Sequence, residues 1–292
     1  MNEVLIIDIG GTKTNVCLVN EVNGKVNILK SKDFLTESDP EKEIQRINEI
    51  FLSFDVEALR ATPLQCSLSL PGLWDKDGIL KESLFLEKWI GYPFVEKLKS
   101  TLKIKDCIWE TDVICGALGE WHVGAIHELP QLYLNLGTGI GAAFIDKDGR
   151  PFKSGMNLTL RLQKLVIPFE EHLTSGVELI SGGMLKDASG YNSVKELYQS
   201  YKNADIEAVD IISKAQVQLA AWLINLFYLF APEVIVLNGG LTYEWNVLCE
   251  EAVDIANEEL DNAVQIIPSR LKGSAPIYGA YFNYVNQTIS NV

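Results

Sequence analysis

The sequence predicts an α/β protein of two similar lobes, with mixed sheets flanked by helices, and three observations support this. A chain of 292 residues, 47% of them hydrophobic, can bury two cores of ordinary domain size. A meander of short strands opens the chain and gives way to alternating helices and strands, and this order recurs further along. Glycine-rich turns stand at strand ends in both rounds.

Taken in order, residues 4–7 form a short β-rich run and residues 15–20 alternate apolar and polar. Residues 26–29 repeat that pattern after an Asn23-Gly24 turn. Helical spacing of Ile44, Ile47, Ile50 and Phe51 predicts a helix over 41–54, and 64–70 reads as a strand stopped by Pro71-Gly72. Residues 93–102 form a second helix with proline in its first turn, and 107–109 a brief strand. Asp112 can cap a helix over 112–121. A hairpin follows, 132–136 and 142–145 around a tight glycine turn, while 151–168 has no readable pattern. The longest helical run, 206–230, carries Ile211, Ile212, Ala215, Leu219, Trp222, Leu223 and Leu226 on one stripe and ends before Pro232. A buried strand at 234–237, a helix at 245–260, a strand at 264–267 and a last helix opening at Ala280 complete the chain. We place an N-terminal lobe at 1–112, with the final helix of about 280–292 packing on it, and a C-terminal lobe at 113–279.

Charge and cysteine usage exclude several classes. Twenty-five Lys and Arg against 39 Asp and Glu leave a net charge of -14, which repels nucleic acid and anionic lipid. A mononucleotide is not excluded, because backbone N–H groups bind phosphate without adding to the charge. Cys17, Cys66, Cys107, Cys115 and Cys249 are odd in number and dispersed through apolar runs, as expected of free buried thiols. With no secretory h-region and no membrane-length apolar run, a cytoplasmic protein is expected.

Three turns carry chemistry. In Asp8-Ile9-Gly10-Gly11-Thr12-Lys13-Thr14 an apolar strand ends in a carboxylate and passes through two glycines, so amides can approach phosphate closely while Asp8 holds hydrated magnesium. A plain hairpin with an Asx turn is the bland alternative. It is no P-loop, since a strand rather than a helix follows. Leu136-Gly137-Thr138-Gly139-Ile140-Gly141 is a second amide-lined turn, able to face the first across a cleft. Asn238-Gly239-Gly240-Leu241 runs from a strand into a helix and lets a flat base or ribose lie on backbone; taken alone it better suits an ordinary strand-to-helix connection.

In this order and spacing the three turns resemble the ROK family of sugar kinases and repressors, of the actin-like ATPase superfamily with its two-lobed, ribonuclease H-like fold. Pro71-Gly72, Trp89 before Pro93, Asp112 with Ala117-Leu118-Gly119-Glu120, Pro232-Glu233 and Gly279-Ala280 fit the same pattern. The resemblance implies ATP and Mg2+ as cofactors, phosphate or ATP contacts from Asp8, Gly10, Gly11, Thr12, Lys13, Gly137, Thr138, Gly139, Gly239 and Gly240, and Asp112 as general base toward a sugar hydroxyl. Asp112 as a mere helix cap is the structural alternative, and the two roles are compatible. The family's repressors carry a DNA-reading domain before the first strand; with that strand at Val4, none is expected here.

Departures from the family concern the sugar. Phe85 and Thr111 stand where asparagines are usual. The family's Gly-Glu-x-Gly-His segment aligns with Thr159-Leu160-Arg161-Leu162-Gln163, and no cysteine lies between Cys115 and Cys249, so no zinc site is expected. Glu178, ahead of Ser181-Gly182, falls on a sugar-contacting glutamate with a spacing one residue shorter. Its alternative reading is a solvated carboxylate at a helix start. Gly72, Thr111, Asp112 and Glu178 are therefore the sugar-site candidates. His122, His127 and His172 sit where no ligand is required. The expected activity is ATP-dependent phosphorylation of a hexose or hexose derivative; a non-catalytic nucleotide or sugar sensor is the alternative. A homodimer is compatible with the pattern, whose apolar faces read equally as core or as contact.

Overall fold

The computed structural model describes residues 3–54, 64–153, 159–169, 172–175 and 180–289. The chain divides into two compact units, one of residues 1–122 with 274–292 and one of residues 123–273.

In the first unit β1 (Val4–Ile9), β2 (Lys13–Val22), β3 (Lys25–Leu35), β4 (Leu64–Leu70) and β7 (Ile104–Thr111) form a sheet of order β3-β2-β1-β4-β7. The β1, β2 and β3 meander is antiparallel, whereas β4 and β7 run parallel to β1. A small hairpin, β5 (Leu73–Trp74) and β6 (Leu80–Glu82), follows β4.

Helices cover both faces of this sheet, so β1 is buried along its whole length and reads as an unbroken apolar run. The period of two divides its side chains. Leu5, Ile7 and Ile9 join Val16 and Leu18 in a core with α1 (Pro40–Ser53) and α2 (Phe94–Leu102). Val4 and Ile6 join Cys17 and Val19 against α3 (Asp112–Val123) and α8 (Ala275–Ile289). Helix α1 starts at Asp39, whose carboxylate accepts the N–H groups of Glu41 and Lys42, with Pro40 at the first position. Its core face is Ile44, Ile47 and Ile50, and it includes one charged residue, Glu43, which is fully buried.

Helices α3 and α8 cross with no space between their backbones. A Cβ on Gly279 would lie 1.6 Å from the Cys115 carbonyl oxygen, and one on Gly119 would lie 2.2 Å from that of Ala275. Gly279 thus serves close approach in mid-helix, and α8 begins at Ala275 rather than near Ala280.

The second unit is built on a four-stranded sheet of order β13-β12-β8-β9, from β8 (Gln131–Leu136), β9 (Ile140–Ile145), β12 (Val234–Asn238) and β13 (Gln265–Pro268). The β8 and β9 pair is the expected hairpin, and β12 lies parallel to both β8 and β13. Its core draws on α4 (Gly182–Ser189), α5 (Val194–Lys202), α6 (Ile206–Phe230) and α7 (Trp245–Glu259). The unread stretch 151–168 contributes an isolated bridge from Leu160 to Ala142, a 3-10 turn at Leu162–Lys164 and the start of β10 (Val166–Phe169), which pairs with β11 (His172–Ser175). Among the described residues no helix is long and apolar enough to cross a membrane. All five cysteines are free.

Candidate active site

Asp8 and Asp112 emerge at the same edge of the first unit's sheet. Asp8 lies at the C-terminal end of β1 and Asp112 directly follows β7, with β4 between them and parallel to both. Ligands of open α/β sheets gather at such strand ends. Two strand spacings separate the backbones by about 10 Å, a distance carboxylate side chains readily shorten.

The sheet register supplies the Asp8 environment. Its cross-strand partners are Asn15 on one side and Ser69 on the other, and each donates to one carboxylate oxygen. Ser69 Oγ lies 2.7 Å from Oδ1 and Asn15 Nδ2 lies 3.2 Å from Oδ2. Burial pushes the carboxyl up to about 6 against the opposing pull of these donors, Ser69 first and then Asn15. Asp112 is pushed up to about 7, chiefly by burial and then by the charge of Asp8. It accepts the Val113 N–H at 2.9 Å in the first turn of α3, so the helix start fixes the carboxylate. The neighbouring Thr111 hydroxyl is buried and has no hydrogen-bond partner among the described residues.

The Gly10–Lys13 turn closes β1 to β2 through a 2.8 Å bond from Gly10 N–H to the Lys13 carbonyl. Its outer edge is clamped by Thr36, whose hydroxyl donates to the Gly10 carbonyl at 2.9 Å and whose N–H donates to that of Thr12 at 3.0 Å. The Gly10–Gly11 peptide is planar and trans, so a Gly10 carbonyl held toward Thr36 aims the Gly11 N–H the opposite way. Gly11 has Phe85 against it; a Cβ there would meet the ring at 2.7 Å. Lys13 is ion-paired with Asp33 at 2.9 Å across the β2–β3 ladder, both half-exposed. Gly72 adopts φ +89°, and its Cβ would strike the Glu82 carbonyl at 2.4 Å, so only glycine fits beside the β5–β6 hairpin.

In the second unit the two remaining turns lie together. Gly137 N–H bonds the Gly139 carbonyl at 2.9 Å, and the Gly137 and Thr138 carbonyls accept the N–H groups of Gly182 at 2.8 Å and Gly183 at 3.1 Å. Gly239, at φ +101°, sits so close to Leu136 that a Cβ would lie 2.3 Å from its carbonyl oxygen. Gly240 beside it faces open space. Asn238 anchors this turn by donating to Tyr133 Oη at 2.7 Å and to its cross-strand partner Asn135 at 3.1 Å. The result is a backbone-lined surface of three glycine pairs, suited to the flat and anionic parts of a nucleotide.

Sequence reasoning missed Asn15 and Ser69, whose role depends on strand register, and Gly182-Gly183, whose paired glycines after Ser181 at a helix start were the available signal. The aligned sugar segment is apolar inside: Leu162 is buried in the second unit's core and Leu160 packs against it. Glu178 lies outside the described residues. His122 stacks on Phe282 with ring centroids 3.8 Å apart, and burial pulls it down to about 4, so it is a neutral packing residue.

The site also bears on magnesium. No cluster of three or more His, Cys, Asp or Glu that could cage a metal occurs among the described residues. Magnesium keeps most of its waters and takes one or two carboxylates besides phosphate, and Asp8, a hard oxygen donor with one lone pair free on each oxygen, fits that demand.

The ROK family model matches residues 4–159 and 171–286. A β-glucoside kinase of Listeria innocua is 23% identical, covering 98% of both chains. An N-acetyl-D-glucosamine kinase of Vibrio parahaemolyticus is 28% identical over 80% of this chain and 83% of its own. A ROK family glucokinase from Streptomyces griseus, solved in complex with glucose and AMPPNP, superposes with a TM-score of 0.73 at 20% identity over 96% of this chain and 98% of that one. The likeness establishes the mixed α/β, actin-like ATPase fold.

Proposed function

The chain belongs to the ROK family, and from that premise we propose that it is an ATP-dependent kinase of a hexose or hexose derivative. The observation that carries this reading is the pair Asp8 and Asp112, at one edge of one sheet with β4 between their strands, with Asp112 raised by burial and by the charge of Asp8. A carboxylate titrating at about 7 is suited to general-base work at neutral pH.

On this reading Asp112 accepts the hydroxyl proton as the sugar oxygen bonds to the γ-phosphorus and the bond from that phosphorus to the β-phosphate bridging oxygen breaks. The products are a sugar phosphate, ADP and a protonated Asp112, which returns its proton to solvent. With the Gly10 and Gly137 N–H groups donated inside their own turns, the amides of Gly11 and Thr12 and of Thr138 and Gly139 hold phosphate oxygens, Lys13 adds charge at the first turn, and Gly239-Gly240 carries the adenosine. Magnesium, when bound, neutralises phosphate charge, and Asp8 holds it through water. Thr111, whose buried hydroxyl has no partner among the described residues, Gly72 and Glu178 are assigned to the sugar.

The test is ADP release across a hexose panel with wild type and Asp112→Ala. Sugar-dependent release is expected from wild type, and its near-complete loss from the variant with ATP binding retained. ATP binding without release for any sugar would replace the kinase by a nucleotide sensor.

A further inference from the structure

We infer that Glu43, a buried carboxylic acid remote from the transfer chemistry, is a positioning residue that holds the Gly10–Gly11 turn through a one-way chain of hydrogen bonds, and that it acts in its neutral, protonated form. This rests on the reading of that turn as a nucleotide turn.

The chain has three links. Glu43 Oε1 and Thr14 Oγ1 are 2.5 Å apart, Thr14 Oγ1 and Thr36 Oγ1 are 3.1 Å apart, and Thr36 Oγ1 lies 2.9 Å from the Gly10 carbonyl oxygen. A carbonyl can only accept, so the Thr36 proton belongs to Gly10. The contact between the two threonines must then be donated by Thr14, which leaves Thr14 nothing to give Glu43. Three links need three protons, and the two hydroxyls supply two; the third is the carboxylic acid proton of Glu43.

An ionised Glu43 would take the Thr14 proton and leave two lone pairs facing each other between the threonines. It would also be a fully buried charge, for which the ion pairs among the described residues supply no cation. Its surroundings are the Thr14 hydroxyl from β2, the Glu37 N–H at 2.8 Å, and the like charge of the Glu37 carboxylate. Burial and then that charge push it up from the ordinary carboxylate range, while the two donors pull less strongly the other way. The Glu37 carbonyl is itself fixed by the indole N–H of Trp89 at 3.2 Å, so the acid end of the chain is anchored in the core.

Its function follows from the last link. Holding the Gly10 carbonyl inward orients the Gly11 N–H on the other side of the same peptide. Glu43→Gln preserves every link, since its amide donates to Thr14 and its carbonyl accepts from Glu37. Glu43→Ala and Thr36→Val break the chain at opposite ends.

Two readouts on the full chain test this. Difference infrared spectra at pH 7, wild type minus Glu43→Gln, should contain a protonated carboxylic acid C=O stretch. ATP affinity by calorimetry should stay within about two-fold in Glu43→Gln, fall about ten-fold in Glu43→Ala and in Thr36→Val, and fall no further in the double variant. Absence of the band, or a Gln variant as weak as the Ala variant, overturns the inference. If wild type binds no ATP, the nucleotide reading fails instead. The band, with non-additive urea midpoints for Glu43→Ala and Thr36→Val, then still decides the hydrogen-bond chain, and a missing band or additive midpoints overturns it.

Discussion

Ser69 sets its hydroxyl 2.7 Å from one oxygen of the Asp8 carboxylate because the two residues are direct partners across the β1–β4 ladder. A hydrogen bond to a buried carboxylate steadies both its charge and its direction. Ser69→Ala should raise Asp8 further and let it turn. We expect magnesium-dependent tightening of ATP binding, measured by calorimetry with and without chelator, to fall about ten-fold, while metal-free binding changes little.

Asp112 gives the protein a pH signature of known sign. Its folded value of about 7 exceeds the ordinary carboxylate value of 3.8, so the folded form holds the proton more tightly than the unfolded one. The stability this confers is complete below about pH 4 and is lost as pH rises through about 7. Asp112→Asn should therefore melt higher than wild type at pH 8 by several degrees, with the gap closing toward pH 4. Wild-type kcat/KM should fall on the acid side of about pH 7 as the base protonates. A melting gap that does not depend on pH would remove the assignment.

Gly279→Ala tests the crossing of α3 and α8. The Cβ would meet a backbone carbonyl at 1.6 Å, and only separation of the helices could relieve it. A loss of about 3 kcal/mol or more is expected by urea denaturation. Gly240→Ala, where a Cβ meets nothing, should cost under about 1 kcal/mol.

Gly11 and Phe85 form a contact that a double variant can isolate. Gly11→Ala pushes the ring aside and should raise KM for ATP several-fold. Phe85→Ala in the same chain removes the 2.7 Å clash and should recover much of the loss, a coupling that independent sites do not show.

Much of this was legible in the sequence because periodicity and punctuation agree. The apolar stripe of 206–230 and its stop before Pro232 delimit α6, and the glycine turns mark their own strand ends. What escaped was decided by tertiary contact. The readable alternation stops at residue 29, yet β3 continues to Leu35 because β2 offers an open ladder; Lys30 and Lys32 suit an edge strand. Strand β7 is longer than its readable centre at 107–109 because pairing to β4 carries it to Thr111, and that extension delivers Asp112 to its place. Gly279 looks like a helix boundary in sequence, although space rather than flexibility requires it. Of the candidate site, the acids and glycines proposed to touch ligand are recognisable by type, whereas Asn15, Ser69 and Glu43 are recognisable only once register and burial are known.

Thr14 and Asn15 are consecutive, and the pleat of β2 sends the first toward Glu43 and the second toward Asp8. The length of the bend between β1 and β2 is therefore not free to drift. Deleting one residue there would bring Asn15 to the acid beneath the bend and Val16 to the acid at its mouth, and adding one would bring Lys13 to the first and Thr14 to the second. Loop insertions are usually the cheapest change a protein can accept; in this hairpin the same change would replace the partners of two acids at once.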